Sequence, residues 1–137
     1  MAVLLDTSLI VAAADTADLN HRTAAAWFAR VEEPLLVGAL TLAEVDHVLQ
    51  RELGRAASAA VLEAVVRGAI RLIAPTEADL GRASELMAEA AEHRPRLAEA
   101  VLVATAERLG VRRIATFDRR PIAVLRPRHL RPFDLEP

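Results

Sequence analysis

The chain contains no cysteine, which excludes a disulfide framework, a thiolate metal centre and a cysteine nucleophile. Lysine is also absent, so arginine carries all the fixed positive side-chain charge. Aromatic residues are limited to Trp27, Phe28, Phe117 and Phe133, too few for a single-strand binder that stacks successive bases. The five glycines (38, 54, 68, 81 and 110) are isolated, so neither a P-loop nor a dinucleotide-binding loop is present. His21, His47, His93 and His129 show no metal-ligand spacing, and Ser8 has no patterned base, which sets aside zinc and serine-hydrolase sites. Asp6-Thr7-Ser8 lacks the Asp-x-Asp spacing of an aspartate-nucleophile phosphatase. No apolar run approaches the roughly 18 residues of a membrane span. The N-terminal apolar run is short and has no basic leader, and the chain reads as cytoplasmic.

The 137 residues are 53% hydrophobic, mostly Ala, Leu and Val, enough for one core and a single domain over 1–137. Ala2–Leu5 is a continuous apolar run, as in a central parallel strand buried on both faces. Thr7 or Ser8 is then a candidate cap for a helix over Leu9–Ala14, and a second helix is expected over His21–Val31. Leu35–Val37 reads as a strand, with Thr41 as the cap of a helix over Leu42–Leu53 that stops at Gly54; another helix, Ala56–Arg67, stops at Gly68. Ile70–Ile73 is a third strand, and Thr76 opens a helix to about Ala91. Arg94-Pro95-Arg96 is a break, Leu97–Leu109 is a helix apolar on most sides, Val111–Thr116 holds a fourth strand, and Leu130–Leu135 is a candidate edge strand. This alternation predicts an α/β sandwich around a mainly parallel sheet of four to five strands.

Four acids stand out against this pattern. Asp6 ends the first strand, Glu44 and Glu99 lie within apolar helical stretches, and Asp118 follows the fourth strand. Charged groups at the edge of a core are costly unless paired or bound to a cation, and several carboxylates together repel one another unless a hard divalent ion joins them. Ligands of open parallel sheets bind beyond the carboxyl ends of the strands, which favours a functional role for Asp6 and Asp118. Each acid also has a plain structural reading. Asp6 caps a helix; Glu44 completes a capping box with Thr41; Glu99 pairs with Arg96 on its own helix; Asp118 is a turn residue paired with Arg119 or Arg120. Asp46, two residues from Glu44, points away from it and is assigned to solvent.

Charge is unevenly distributed. Residues 94–131 contain ten arginines against three acids, although the whole chain carries only −2. A bias in codon usage accounts for arginine over lysine but not for clustering, and a guanidinium-rich face suits phosphate.

In order and context these segments resemble the PIN-domain ribonucleases, specifically the VapC-type toxins of bacterial toxin–antitoxin pairs. VLLDTSLI (Val3–Ile10) resembles the opening strand and first acid, TLAEVDHVL (Thr41–Leu49) the second acid, and LAEAVLVATAERLGVRRIATFDRR (Leu97–Arg120) the long closing motif. The resemblance implies a three-layer PIN-like fold and a metal-dependent endoribonuclease. Asp6, Glu44 and Glu99 would be ligands of Mg²⁺ or Mn²⁺ and Asp118 a supporting one, with the Thr7 and Thr116 hydroxyls orienting them. It further implies that Arg112, Arg113, Arg119 and Arg120 contact RNA, either tRNA or ribosomal RNA. A cognate VapB-type antitoxin would occupy the groove, and the chain would form a homodimer through the early helices, including Trp27 and the apolar side of Leu42–Leu53. One position departs from the family: its third acid is normally Asp before Ala, and here Glu99 precedes Ala100, which extends the carboxylate by roughly 1.5 Å of covalent reach. The alternative expectation is a PIN-fold module that binds RNA or antitoxin without cleavage.

Overall fold

The computed structural model describes residues 1–127 and 132–137. Strand β1 (Val3–Leu5) leads through helices α1 (Thr7–Ala14) and α2 (His21–Arg30) to β2 (Leu35–Gly38). Helices α3 (Ala39–Glu52) and α4 (Arg55–Val66) follow, then β3 (Arg71–Ile73) and α5 (Glu77–Glu89). A 3-10 turn (Ala91–His93), α6 (Leu97–Leu109), β4 (Arg113–Ala115), α7 (Arg119–Val124) and β5 (Asp134–Glu136) complete the order. Every strand pairing is parallel, in the order β3-β2-β1-β4-β5.

Three layers follow from the two-residue period of the strands. Val3, Leu5, Val37 and Ala115 face a core shared with Leu9, Trp27, Val45 and Leu49 from α1–α3. Leu4, Leu36 and Ile114 face the opposite core, built with Leu86, Val103 and Ile122 from α5–α7. The run from Val3 to Leu5 is almost wholly buried, as a central strand covered on both sides requires. Each fully buried Leu or Val contributes about 1.5–3 kcal/mol of apolar burial. The chain changes faces between β3 and β4, so β1 and β4 flank the point at which the strand order reverses, the place where ligands bind in such sheets.

The expected α/β sandwich is present, and its sheet, expected to hold four to five mainly parallel strands, has five, paired in parallel throughout. Several local expectations are corrected. Helix α3 begins at Ala39 with Gly38 as its N-cap; Thr41 is buried inside the helix, so Thr41 and Glu44 do not form a capping box. Capping instead occurs at α5, where Thr76 and Asp79 satisfy each other's backbone N–H groups. Neither Thr7 nor Ser8 caps α1, whose N-cap is Asp6 without a side-chain cap hydrogen bond. The expected edge strand is confined to β5, and the first part of that segment lies outside the described residues. Trp27 is only 4% exposed, and Val45 and Leu49 are fully buried, so these residues belong to the core and not to a dimer surface. Asp46 is not idle toward solvent; it accepts hydrogen bonds from Gln50 and from Ser58 of α4, which hold its pKa below the usual carboxylate range. Among the described residues no helix is long and apolar enough to cross a membrane.

Candidate active site

The four acids reach one place from four parts of the chain. Asp6, Glu44, Glu99 and Asp118 all line a pocket of about 170 Å³ at the carboxyl end of the sheet, with Thr7, Ser8, Val11, Val48 and Ala98. Asp6 is delivered by the end of β1 and Asp118 by the loop after β4. The second turn of α3 supplies Glu44, and the first turn of α6 supplies Glu99.

Asp6 is the buried centre of this group, with 9% exposure. Its Oδ2 accepts a hydrogen bond from the Thr116 hydroxyl at 2.7 Å and a longer one from Ser8 at 3.4 Å. Thr116 Oγ1 in turn accepts from the Asp118 backbone N–H at 2.9 Å, and Ser8 Oγ accepts from the Phe117 N–H at 2.9 Å. The β1 and β4 ends are therefore stitched together around one carboxylate oxygen. Burial pushes the Asp6 pKa above its usual value, while hydrogen bonds from Thr116, the Thr7 backbone and Ser8 draw it down and the nearby Asp118 charge raises it. Net elevation marks a carboxylate that lacks a compensating positive charge.

Glu44 has such compensation, and Glu99 has a backbone hydrogen bond, both from one residue. An Arg96 guanidinium nitrogen lies 3.4 Å from Glu44 Oε1, and the Arg96 backbone N–H donates to Glu99 Oε2 at 3.0 Å. Glu99 thereby caps α6, a different contact from the side-chain pair with Arg96 that its spacing suggests. Among the described residues, no three acids or imidazoles stand close enough in this arrangement to hold one metal ion.

The donor set nevertheless suits a hard divalent cation by its chemistry. It consists of four carboxylates and two hydroxyls, one carboxylate is desolvated and destabilised as an anion, and the Arg96 guanidinium faces Glu44.

The remaining assignments divide. Thr116 reaches the Asp6 carboxylate, whereas Thr7 contacts it through the backbone; the second hydroxyl on Asp6 belongs to Ser8, which sequence analysis weighed only as a cap or an unsupported nucleophile. Arg112 and Arg113 lie at the amino end of β4, away from the acids. Arg113 is held by Glu136 at 2.7 Å and by Glu33, and Arg112 pairs with Asp134 at 3.6 Å. These arginines fasten β5 to the sheet through those pairs. Arg119 donates to the Pro137 carbonyl at 2.6 Å, and Arg120 lines a groove beside the acid pocket together with Arg94 and Arg96. Those last two were read from sequence as flanking a proline break within the arginine-rich segment, and Arg96 also as a partner for Glu99.

A doubly wound parallel sheet with a cluster of carboxylates at its switch point defines a class of acid-cluster α/β proteins. Comparison with known proteins narrows this: residues 3–126 match the PIN domain model, and the chain belongs to the PIN-domain family. It is 30% identical over 125 residues to Ribonuclease VapC26 of Mycobacterium tuberculosis, covering 91% of this chain and 93% of that protein. Among solved structures, the fold is similar to Mycobacterium tuberculosis VapC20, described as a sarcin-ricin loop cleaving toxin. The TM-score is 0.80 at 22% identity, over 85% of this chain and 89% of that one. It is also similar to VapBC2 from Rickettsia felis, solved bound to a DNA fragment from its promoter, with a TM-score of 0.71 at 13% identity, over 99% and 98% of the chains.

Proposed function

We propose that this protein is a metal-dependent endoribonuclease toxin of the VapC type, restrained by a cognate VapB-type antitoxin. The observation that carries this reading is the convergence of Asp6, Glu44, Glu99 and Asp118 on one pocket at the sheet switch point, supported by membership in the PIN-domain family and by similarity to a named VapC ribonuclease. The substrate is an RNA phosphodiester, with tRNA and ribosomal RNA the candidate classes. A homodimer is part of the reading, with a surface other than Trp27 and the buried side of α3.

Asp6, Glu44 and Glu99 would hold Mg²⁺ or Mn²⁺, with Asp118 as an outer member. The bound cation supplies Lewis-acid polarisation of a phosphoryl oxygen and a more acidic water. Thr116 and Ser8 fix the Asp6 carboxylate by donating to one of its oxygens. Asp118, exposed at the pocket mouth, would accept a proton from an attacking water. Groove arginines neutralise the RNA backbone as it approaches a pocket that is itself strongly anionic.

The test is cleavage of total bacterial RNA by antitoxin-free protein in Mg²⁺, in Mn²⁺ and in EDTA, beside Asp6→Asn and Glu99→Asp. Discrete metal-dependent fragments that vanish in Asp6→Asn are expected. The second reading, a PIN module that binds RNA or antitoxin without cutting, is favoured by one observation: Glu44 and Glu99 are both engaged by Arg96. RNA retention without cleavage by any form establishes it instead, and cleavage only by Glu99→Asp assigns the loss to the longer side chain.

A further inference from the structure

Arg96 stands between two cavities. On one side its guanidinium and backbone N–H engage Glu44 and Glu99 of the acid pocket. On the other it lines a groove of about 420 Å³ with Arg94, Arg120, Pro95 and Glu92, and Glu99 borders both spaces. Arg94, Arg96 and Arg120 are all exposed, and among the described residues Arg94 and Arg120 have no ion-pair partner. Arg94 also adopts a left-handed conformation, φ 48°, which is unfavourable for a residue bearing a Cβ and marks a backbone held by its surroundings. It ends the 3-10 turn and leads the chain through Pro95 into α6.

A basic groove sharing a wall with an acidic pocket binds phosphates and cations in adjoining places. Among the described arginines, Arg96 is the one that both pairs with an acid of the pocket and lines the groove. While it pairs with Glu44 it partly neutralises the acids and competes with a cation; when a phosphate accepts its guanidinium, Glu44 is released. Exposed ion pairs of this kind are weak, so exchange is cheap, and a guanidinium matches phosphate through paired donors.

We propose that Arg96 is an exchangeable counter-ion that couples binding of a nucleic-acid backbone phosphate in the Arg94–Arg96–Arg120 groove to cation binding at the acid pocket through Glu44. The proposal rests on the reading of the acid pocket as the cation site of a nuclease. Coupling of this sort is reciprocal: phosphate tightens the cation and the cation tightens phosphate by the same factor. Arg96 is thus a positioning residue for the acids and a contact for the polymer.

The experiment measures Mn²⁺ affinity by electron paramagnetic resonance, with and without a short mixed-sequence 2′-O-methyl oligoribonucleotide that cannot be cleaved. Native protein is compared with Arg96→Gln and Arg94→Gln. In native protein the oligonucleotide is expected to tighten Mn²⁺ by about threefold, the scale of one exposed ion pair. Without oligonucleotide, Arg96→Gln is expected to bind Mn²⁺ about threefold more tightly than native and to show no further gain when it is added. Arg94→Gln, which removes the same charge without touching an acid, should leave the oligonucleotide-free Mn²⁺ affinity near native and weaken oligonucleotide binding. Equal Mn²⁺ tightening in both variants would mean bulk electrostatics and overturn the proposal. So would an unchanged affinity in Arg96→Gln, while leaving the nuclease reading intact if native protein still cleaves RNA. Absence of any Mn²⁺ binding by the native protein would overturn both.

Discussion

Thr116 and Asp6 lie 110 positions apart, and the Thr116 hydroxyl donates to Asp6 Oδ2 across 2.7 Å at the join between β1 and β4. That bond helps to fix a buried carboxylate that no positive charge compensates; burial raises its pKa and the bond opposes the rise.

Asp6 is predicted to trade stability for function. Its pKa is raised by burial, so between the unfolded and folded values the native state holds more protons than the unfolded state, and stability falls as pH rises through that window. Asp6→Asn removes this term while keeping an acceptor for Thr116. Metal-free Asp6→Asn is expected to melt higher than native at pH 7 and close to native at about pH 3, below both values. Thermal unfolding in EDTA at the two pH values measures this, and RNA cleavage by the same variant should be abolished.

Thr116→Val removes the hydrogen bond that favours the charged form of Asp6. The Asp6 pKa is expected to rise further, displacing the acid limb of the activity profile toward higher pH. Stability should fall by about 1 kcal/mol for the lost bond. A pH profile of cleavage, together with carboxyl NMR titration of Asp6, distinguishes this from a general loss of folding.

A purely structural ion pair provides the contrast. Asp79 is 2% exposed; burial works to raise its pKa, but bonds from Arg108 and from Thr76 outweigh it and the net shift is downward. Arg108 donates through Nε at 2.9 Å and through a second nitrogen at 3.0 Å. Arg108→Ala leaves this carboxylate buried and unpaired, an expected loss of about 3 kcal/mol by chemical denaturation. Because the folded pKa is depressed, the stabilisation is present above the unfolded value and is lost as pH falls through the folded one. The difference between native and variant should therefore shrink in acid.

Arg113 is expected to matter for the fold and not for RNA. Glu136 first, and then Glu33, hold its pKa well above the ordinary arginine value, and Glu136 also accepts from Trp27 Nε1 at 3.2 Å. Arg113→Ala should lower stability by roughly 1–3 kcal/mol through release of β5. Oligonucleotide affinity, measured by fluorescence anisotropy, should stay within about twofold of native, whereas Arg120→Ala should weaken it and reduce its salt dependence.

The longer Glu99 side chain is expected to favour Mn²⁺ over Mg²⁺, because Mg²⁺ tolerates displacement from octahedral geometry least. Cleavage rates in the two metals should differ several-fold in native protein, with the gap narrowing in Glu99→Asp, which restores the shorter reach.

Local pattern sufficed wherever a single element decides its own structure. The apolar run of Val3–Leu5, the stop at Gly110 (φ 67°) and the Thr76 cap are each written within a few residues, because strand burial, left-handed helix ends and capping depend on near neighbours. The four acids were legible for a related reason: charge at the ends of apolar segments is conspicuous, and the order of the motifs was enough to name the PIN family. Partnership was not legible. Nothing in sequence distinguishes Arg113, locked between Glu33 and Glu136, from Arg120, open to the groove, and nothing shows that Ser8 rather than Thr7 turns its hydroxyl to Asp6. Thr41 and Glu44 had the spacing of a capping box, but the helix began earlier and carried them into its interior.

The sequence by itself therefore determined the alternation of strands and helices, the parallel sheet and the identity of the acids, since these follow from short-range periodicity and the cost of burying charge. Only the tertiary structure decided which arginines are bound and which are open, that the Thr116 hydroxyl reaches Asp6, and that the Arg96 guanidinium lies against Glu44. Those are long-range contacts, set by the register of parallel strands and the packing of α3 against α6, and no local spacing encodes them.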